Sequence, residues 1–331
     1  MKAAFYEATG PAADVLRLAD VPTPEPAPGE VRVRVLWSGV NPSDVKSRAG
    51  RPGVPMPFAR VIPHSDGSGV IDAVGEGVDR ARLGERVWLW NAAWGRAHGS
   101  ACEWLCLPQQ QAVPLPENVS GEAGACLGIP ALTAMHAVLM DGGVAGKTVL
   151  VAGGAGAVGH YAVQMASQLG AARVIATVSG EEKARIAREA GADEVLNYKT
   201  EALAARVAET TQGQGVDRVI ELDLAANALA DIEVLKTGGE LVVYGSGPVP
   251  IQLPFFPLIA KNLQLKFFMV YHLTPADRAR AVAVLTRLLE RGQLQHQIAE
   301  RLPLERIGDA HRLVESGRVV GNVVLGIGPA A

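Results

Sequence analysis

Val149-Leu150-Val151-Ala152-Gly153-Gly154-Ala155-Gly156-Ala157-Val158-Gly159 is the stretch that decides the fold of this chain. A run of apolar residues feeds into glycines spaced G-x-G-x-x-G at 154, 156 and 159, and an alanine-rich apolar segment continues through Leu169. This reads as strand, tight turn and helix, the context that a dinucleotide fingerprint requires. The glycines have separate jobs: one permits the turn, one lets backbone approach a pyrophosphate, one lets the helix pack on the strand. The N–H groups that open the helix, and the positive end of its dipole, favour a phosphate. Ala155, Gly156, Ala157, Val158 and Gly159 are the expected contacts.

The next apolar run, Arg173-Val174-Ile175-Ala176-Thr177-Val178, ends about twenty residues beyond the last glycine, where the residue that reads the ribose sits. An Asp or Glu there would accept a hydrogen bond from the ribose of NAD. Here the sequence is Ser179-Gly180-Glu181-Glu182-Lys183. The strand end lacks an acid and has a hydroxyl, a turn glycine and a lysine nearby. Ser179 and Lys183 read as a 2′-phosphate pocket, and the expected cofactor is NADPH. Glu181 and Glu182 weigh against this and are read instead as the first-turn acids of the following helix.

The remaining composition bounds the function. The 331 residues are enough for two domains, and 48% hydrophobic with 20% charged residues suits a sizeable core. A net charge of −3 supplies no electrostatic reason for a nucleic-acid or membrane partner. The opening Met1-Lys2-Ala3-Ala4-Phe5-Tyr6 alternates like a strand and has no signal-peptide core, and no apolar run is long enough for a membrane span. Cys102, Cys106 and Cys126 follow no disulfide pattern, so a cytoplasmic setting is expected.

The first third reads as β-rich. Val31-Arg32-Val33-Arg34-Val35-Leu36-Trp37 alternates as a half-buried strand should, after prolines at 22, 24, 26 and 28. From Glu122 the texture changes to helix 122–139, strand 147–152, helix 158–169, strand 173–178 and helix 181–190, with further strands at 195–197, 218–222 and 240–244. Such alternation implies an α/β doubly wound parallel sheet. Helices at 276–291 and 305–316 and a strand at 322–325 close the chain, with a loose tail at 329–331. The expected domains are 1–121 as the first part of a β-rich domain, 122–264 as the dinucleotide domain, and 265–331 as the return to the first.

These residues resemble the medium-chain dehydrogenase/reductase family, in the zinc-free quinone oxidoreductase branch that includes zeta-crystallin. The carriers are Ser38-Gly39-Val40-Asn41-Pro42, the segment from Gly67 to Gly75, Gly84-Glu85-Arg86-Val87, Gly128-Ile129-Pro130-Ala131-Leu132-Thr133-Ala134, the glycine turn, and Ala190-Gly191-Ala192-Asp193-Glu194-Val195. The resemblance implies a GroES-like domain beside a Rossmann domain. It also implies NADPH-dependent two-electron reduction of a small quinone or related α,β-unsaturated carbonyl. A homodimer joined through its Rossmann sheets is implied too, with 240–244 and 262–270 as the candidate edge. Reduction of enoyl thioesters or alkenals is the enzymatic alternative. A crystallin-like or RNA-associated protein that keeps an NADPH site is the alternative of another class, and the acidic balance weighs against it.

Where zinc-dependent relatives carry a cysteine and a histidine ligand, this sequence has Asn41 and Ser65, with His64 one place earlier; the four-cysteine lobe is absent. No metal is expected. His64 reads as a polar loop histidine, and Cys102 and Cys106 as buried, inert thiols. Chemistry then falls to the nicotinamide, and an oxyanion growing on the acceptor needs donors or a proton. The resemblance singles out Asn41, Arg48 and Thr133 as catalytic candidates. Asn41 has two readings, an amide facing the nicotinamide or substrate and a turn-former before Pro42. Thr133 is a nicotinamide-side contact or a core helix threonine. Lys46 stands where relatives have a cofactor-lining tyrosine and reads as its replacement or as a solvated lysine. Tyr198 closes the 2′-phosphate pocket with Lys183, or is a strand-end aromatic. Further cofactor candidates are the turn Tyr244-Gly245-Ser246, the segment Met269-Val270-Tyr271, and Asn322 at the head of the last strand. No general acid is identified.

Overall fold

The fold was determined as a computed structural model, which describes residues 1–247 and 250–328; the tail expected at 329–331 lies outside them. The chain divides into two compact units. The first holds Met1–Pro130, Leu289–Gly292 and the chain from His296; the second holds Ala131–Leu288 and Gln293–Gln295.

In the first unit the alternation around Val31 builds the long strand Glu30–Val40. Val31, Val33 and Val35 point into a core with Ile71, Leu105, Leu107, Val323 and Leu325. The sheet runs in the order Ile298–Pro303, Asn322–Gly326, Glu30–Val40, Asp66–Val74, Arg86–Leu89, Ala112–Pro114, with Trp104–Pro108 also on the long strand. Its pairs are antiparallel except the first. Cys102 and Cys106 lie buried there as expected, and burial pushes both thiols up to about 12.

The second unit is a six-stranded parallel sheet. Its order is Glu194–Asn197, Arg173–Val178, Thr148–Val151, Val216–Glu221, Leu235–Val243, Gln264–Phe267. The chain runs outward one way from Thr148–Val151 and then outward the other way. This makes the carboxyl end of that strand the switch point where doubly wound sheets take ligands.

Two expectations are corrected. The helix read over 122–139 is broken into Gly121–Gly124, a π-type turn Leu127–Ala131 and Leu132–Leu139. Pro130 has no N–H for a helical ladder, so the chain changes pitch there. The return to the first unit comes at Leu289 and not at 265, because Gln264–Phe267 pairs with Leu235–Val243 as the sixth strand. Among the described residues no helix is long and apolar enough to cross a membrane.

Each unit encloses a polar knot. In the second, the fully buried Arg218 donates to the carbonyls of Ala137 (3.0 Å), Val138 (3.2 Å) and Met140 (2.8 Å). These are carbonyls that a helix leaves unsatisfied at its C-terminus. Arg218 also pairs with Glu240 at 2.6 Å, and Lys147 and Lys266 reach the same carboxylate at 3.1 and 2.9 Å. Burial works against ionisation of Glu240, but hydrogen bonds from Lys266, Arg218 and Lys147 outweigh it and hold the carboxyl down at about 2.

In the first unit His64 is not a loop-surface histidine but is wholly buried, in a left-handed backbone conformation with φ 78°. Its Nδ1 meets Ser38 Oγ at 2.8 Å and its Nε2 meets His311 Nε2 at 2.9 Å. Ser38 Oγ continues to Ser100 Oγ at 2.8 Å, which donates to the carbonyl of Asp66. A hydrogen bond between two ring nitrogens needs one donor and one acceptor, so at least one of the rings is uncharged. Burial first, and then the neighbouring His311 ring for His64 and the Arg48 charge for His311, lowers both pKa values, that of His311 to about 3, which keeps the rings neutral.

Two measurements check these knots. Arg218→Met takes its donor from the carbonyls of Ala137 and Val138, leaves Met140 O with Gly143 N alone and Glu240 short of a partner, and is expected to cost about 3–5 kcal/mol in urea unfolding. The unfolded chain binds protons on His64 and His311 that the folded chain refuses. Stability is therefore complete above the unfolded histidine value and falls as pH drops from about 6.5 toward 3, at up to about 1.4 kcal/mol per pH unit for each histidine. His311→Gln should flatten that fall; an unchanged acid limb would sink the assignment.

Candidate active site

The phosphate cradle is built by what its glycines lack. Gly153 has φ +66°, and a Cβ there would stand 2.5 Å from Leu222 Cδ2. A Cβ on Gly154 would meet Ala176 Cβ at 2.6 Å, and one on Gly159 would collide with the carbonyl of Gly153. Gly153, one place before the spaced motif, is thus the turn glycine, which the spacing alone does not reveal. Thr177 ties the turn down, its Oγ1 accepting from Gly153 N at 3.1 Å and its carbonyl from Gly154 N at 3.0 Å. Gly156 is the N-cap of helix Ala157–Gln168 and supplies no side-chain cap. The N–H groups of Ala157, Val158 and Gly159 precede the first intrahelical bond, His160 N to Gly156 O at 2.9 Å. That end of the helix is open to an anion. Ala155 is buried beneath it.

The next two strands gather the residues read as a 2′-phosphate pocket. Val178 pairs in register with Asn197, and Tyr198 N donates to Val178 O at 3.1 Å. Ser179, Lys183 and Tyr198 therefore share one sheet corner. Lys183 Nζ meets Ser179 Oγ at 3.1 Å, and the Tyr198 ring is 53% exposed. Glu181 is paired with Arg188 at 3.0 Å, and Glu182 is exposed on the first turn of helix Glu181–Glu189.

On the other side of the switch point, Tyr244-Gly245-Ser246 follows strand Leu235–Val243. Tyr244 N donates to Glu221 O at 3.1 Å, and a Cβ on Gly245 would collide with the carbonyl of Leu222. Burial, and then the charge of Glu221, push the Tyr244 phenol well above its usual range, so it stays a neutral donor. Among the described residues the buried Ser246 hydroxyl oxygen has no hydrogen-bond partner. Of the segment at 269–271, Met269 is exposed, Tyr271 half-buried and Val270 buried, its carbonyl accepting from Arg278 at 2.6 Å. Thr133 is buried on helix Leu132–Leu139, past the π-type turn. An open helix N-terminus, glycines without room for a Cβ and an orphaned buried hydroxyl fit a dinucleotide whose pyrophosphate rests on the glycine turn.

The first unit contributes a different set. Asn41 is the N-cap of helix Pro42–Ala49, and its N–H donates to Asp44 Oδ2 at 2.8 Å. Its Nδ2 donates to Asp66 Oδ2 at 2.8 Å, and all three side chains are buried. Burial raises the Asp44 carboxyl to about 7 against hydrogen bonds from Asn41 and Ser65. Burial, with the charge of Asp44 added, pushes Asp66 well above the carboxylate range. Of its two readings Asn41 shows the turn-former, capping the helix, while its amide N–H is engaged by Asp66. Neither acid was legible as a partner, although Asp44 stands at the capping-box position three residues after Asn41. Ser65 is buried beside them, and among the described residues no group of three or more His, Cys, Asp or Glu is placed to hold a metal ion.

Three candidates stand elsewhere in the first unit. Arg48 is wholly buried, donating to the Gly10 carbonyl and pairing with Glu315 at 3.1 Å; it braces the fold and has no surface to offer a substrate. Lys46 is exposed on its helix, the solvated of its two readings. Asn322 donates through Nδ2 (3.1 Å) and backbone N (2.8 Å) to the carbonyl of Gln297, which engages its amide within the sheet.

Known proteins share this architecture. Residues 27–117 match the alcohol dehydrogenase GroES-like domain, and 157–287 match the zinc-binding dehydrogenase family. A quinone oxidoreductase of Rattus norvegicus is 30% identical over 97% of this chain and 95% of its own length. A solved NAD-dependent alcohol dehydrogenase is 34% identical, with a TM-score of 0.89 over 99% of this chain and 100% of that one. A mycobacterial protein solved in complex with NADPH is 32% identical, with a TM-score of 0.87 over 98% of this chain and 100% of that one. The chain belongs to the medium-chain dehydrogenase/reductase family, an oxidoreductase that uses a nicotinamide cofactor.

Proposed function

We propose that the protein is an NADPH-dependent quinone oxidoreductase that passes a hydride to a small quinone or related conjugated carbonyl without a metal. The observation that carries the choice of cofactor is Lys183 Nζ on Ser179 Oγ, with Tyr198 beside them, at the strand end where an NAD enzyme would hold an acid. Bound NADPH supplies the hydride. The N–H groups of Ala157 to Gly159 hold the pyrophosphate, and Lys183, Ser179 and the face of Tyr198 hold the 2′-phosphate. The Ser246 hydroxyl and the backbone around Gly245 position the other half. A quinone that takes the hydride becomes a hydroquinone anion, which takes its proton from water, so no protein acid is required.

The absence of zinc chemistry is supported by the donor set. An amide already bonded to Asp66, and two acids whose burial favours the protonated form, make a poor site for a cation that prefers thiolate, imidazole and ionised carboxylate. The three buried, unpaired cysteines support a cytoplasmic setting. A homodimer is supported by the outermost strand of the parallel sheet, Gln264–Phe267. Its Phe267 is 61% exposed, and Phe255, Phe256 and Ile259 are exposed on the helix before it.

Lys183→Ala removes a charge-assisted contact worth about 1.5–3 kcal/mol, so KM for NADPH should rise roughly ten- to hundredfold while KM for NADH barely moves. Equal changes in both would remove the 2′-phosphate assignment. Steady-state assays of simple quinones, small enones and acyl thioesters should show the highest kcat/KM for a quinone, undiminished by a chelator. Restoration by zinc after loss to chelator would defeat the metal-free reading.

A further inference from the structure

Two acids are buried together at the carboxyl edge of the parallel sheet. Glu221 ends strand Val216–Glu221 with no exposure, and Asp231, on helix Leu224–Val234, is 2% exposed. Glu221 Oε1 accepts from Asp223 N and from Asn227 Nδ2, the latter at 3.0 Å. Among the described residues Glu221 Oε2 and Asp231 Oδ2 accept from no donor, and Asp231 lies one turn after Asn227, on the helix face that Asn227 turns to Glu221, so the two buried carboxyls face one another. Ionised carboxylates only accept, so two of them cannot bond; one shared proton satisfies both orphaned oxygens.

The residues this pair holds are the ones that shape the edge. Glu221 O takes Tyr244 N, and Glu221 Oε1 sets Asp223, whose own carboxylate takes Gly247 N at 2.6 Å. Between them lies Leu222, whose backbone carbonyl leaves Gly245 no room for a Cβ and whose Cδ2 lies over the turn at Gly153. One carboxyl pair thus underlies the glycine turn and the 244–247 turn together. The 2′-phosphate residues lie on the strands to one side of the switch point and the pyrophosphate on the glycine turn. The nicotinamide half then falls to this other side.

We propose that Glu221 and Asp231 are a one-proton positioning pair, holding Leu222 and the turn at 244–247 for the nicotinamide half of the cofactor, and that alkaline loss of the proton weakens cofactor binding. The inference rests on the NADPH reading above. Burial, with the charge of Glu221 added, raises Asp231 to about 9. Other charged groups on the elements around the pair are engaged or turned away. The Tyr244 phenol titrates higher still, and Asp223 is on Gly247 N. Glu233 is exposed, and Lys261 Nζ caps the helix at the carbonyls of Ile232, Glu233 and Leu235. On the neighbouring helix Arg206 pairs with Glu201 and Glu209, and on the strands Lys236 pairs with Asp217.

The test compares wild type, Asp231→Asn and Asp231→Leu. An Asn amide can donate to Glu221 Oε2 but has no proton to lose in this range; Leu removes the bond. NADPH affinity, read by cofactor fluorescence, should weaken in wild type with a midpoint near pH 9. That limb should be missing from Asp231→Asn, and at pH 7 Asp231→Leu should bind about tenfold more weakly than Asp231→Asn. The same alkaline limb in Asp231→Asn, or equal affinities for the two variants, would overturn the proposal. Urea unfolding without cofactor supplies the second readout. A carboxyl whose folded pKa is raised stabilises below its unfolded value and loses that contribution as pH rises to the folded one. Wild type should therefore lose stability relative to Asp231→Asn steadily from pH 5 to 9, and a constant difference would exclude the shared proton. Failure of wild type to bind NADPH at pH 7 would strike the cofactor reading instead, and the urea series would still decide the pair.

Discussion

The second unit depends on a constraint of volume, the absence of side chains where the glycine turn meets its neighbours. Gly153 holds a φ of +66° that side chains rarely adopt, a Cβ on Gly154 would collide with Ala176 Cβ, and one on Gly159 with the carbonyl of Gly153. Three strands and the first helix meet at that point, so the close approach orients the helix N-terminus and the edge of the sheet together. A methyl group on Gly154 would push strand Arg173–Val178 away, and one on Gly159 would push the helix off the turn. With it would go the alignment of the N–H groups that make the end attractive to a phosphate.

In each unit the protein gathers buried ionisable groups into sets. Arg218 and Glu240 close a helix end, His64 and His311 share a hydrogen bond, Asn41 lies between Asp44 and Asp66, and Glu221 lies on Asp231. The physical rule is the same in each. A buried charge or dipole is costly unless its lone pairs and protons are matched, and where two acceptors meet the match is made by keeping a proton. The ion-paired set stays charged, while the histidines and acids move toward neutrality. The knots thereby join segments far apart in sequence, such as His64 to His311 and Arg48 to Glu315.

Periodicity and spacing carried much of the architecture. The valines of Glu30–Val40 could only alternate into a core, and the apolar strands from Thr148 onward could only lie in a sheet covered on both faces. The corner made by Ser179, Lys183 and Tyr198 was also legible, because parallel strands in sequence order bring their carboxyl ends together. Pro130 was visible, but its breaking of helix 122–139 depends on how the flanking turns settle. The sixth strand was missed as part of the sheet because Gln264–Phe267 is short and half-exposed, and only its partner Leu235–Val243 defines it.

What the sequence determined by itself was local: a strand, a turn without side chains, a helix start, and a strand end with a hydroxyl and a lysine in place of an acid. What only the tertiary structure decided was which polar groups meet. Arg48 and Asn322 carried family motifs or favourable positions, yet packing spends the first on Gly10 and Glu315 and the second on Gln297. Nothing in their spacing sets Asp66, Glu221 and Asp231 apart; burial does, placing Asp66 on the Asn41 amide and Glu221 beside Asp231. Hydrogen bonding and proton sharing depend on distances between residues tens to hundreds of positions apart, and no spacing in one chain encodes those distances until the sheets are formed.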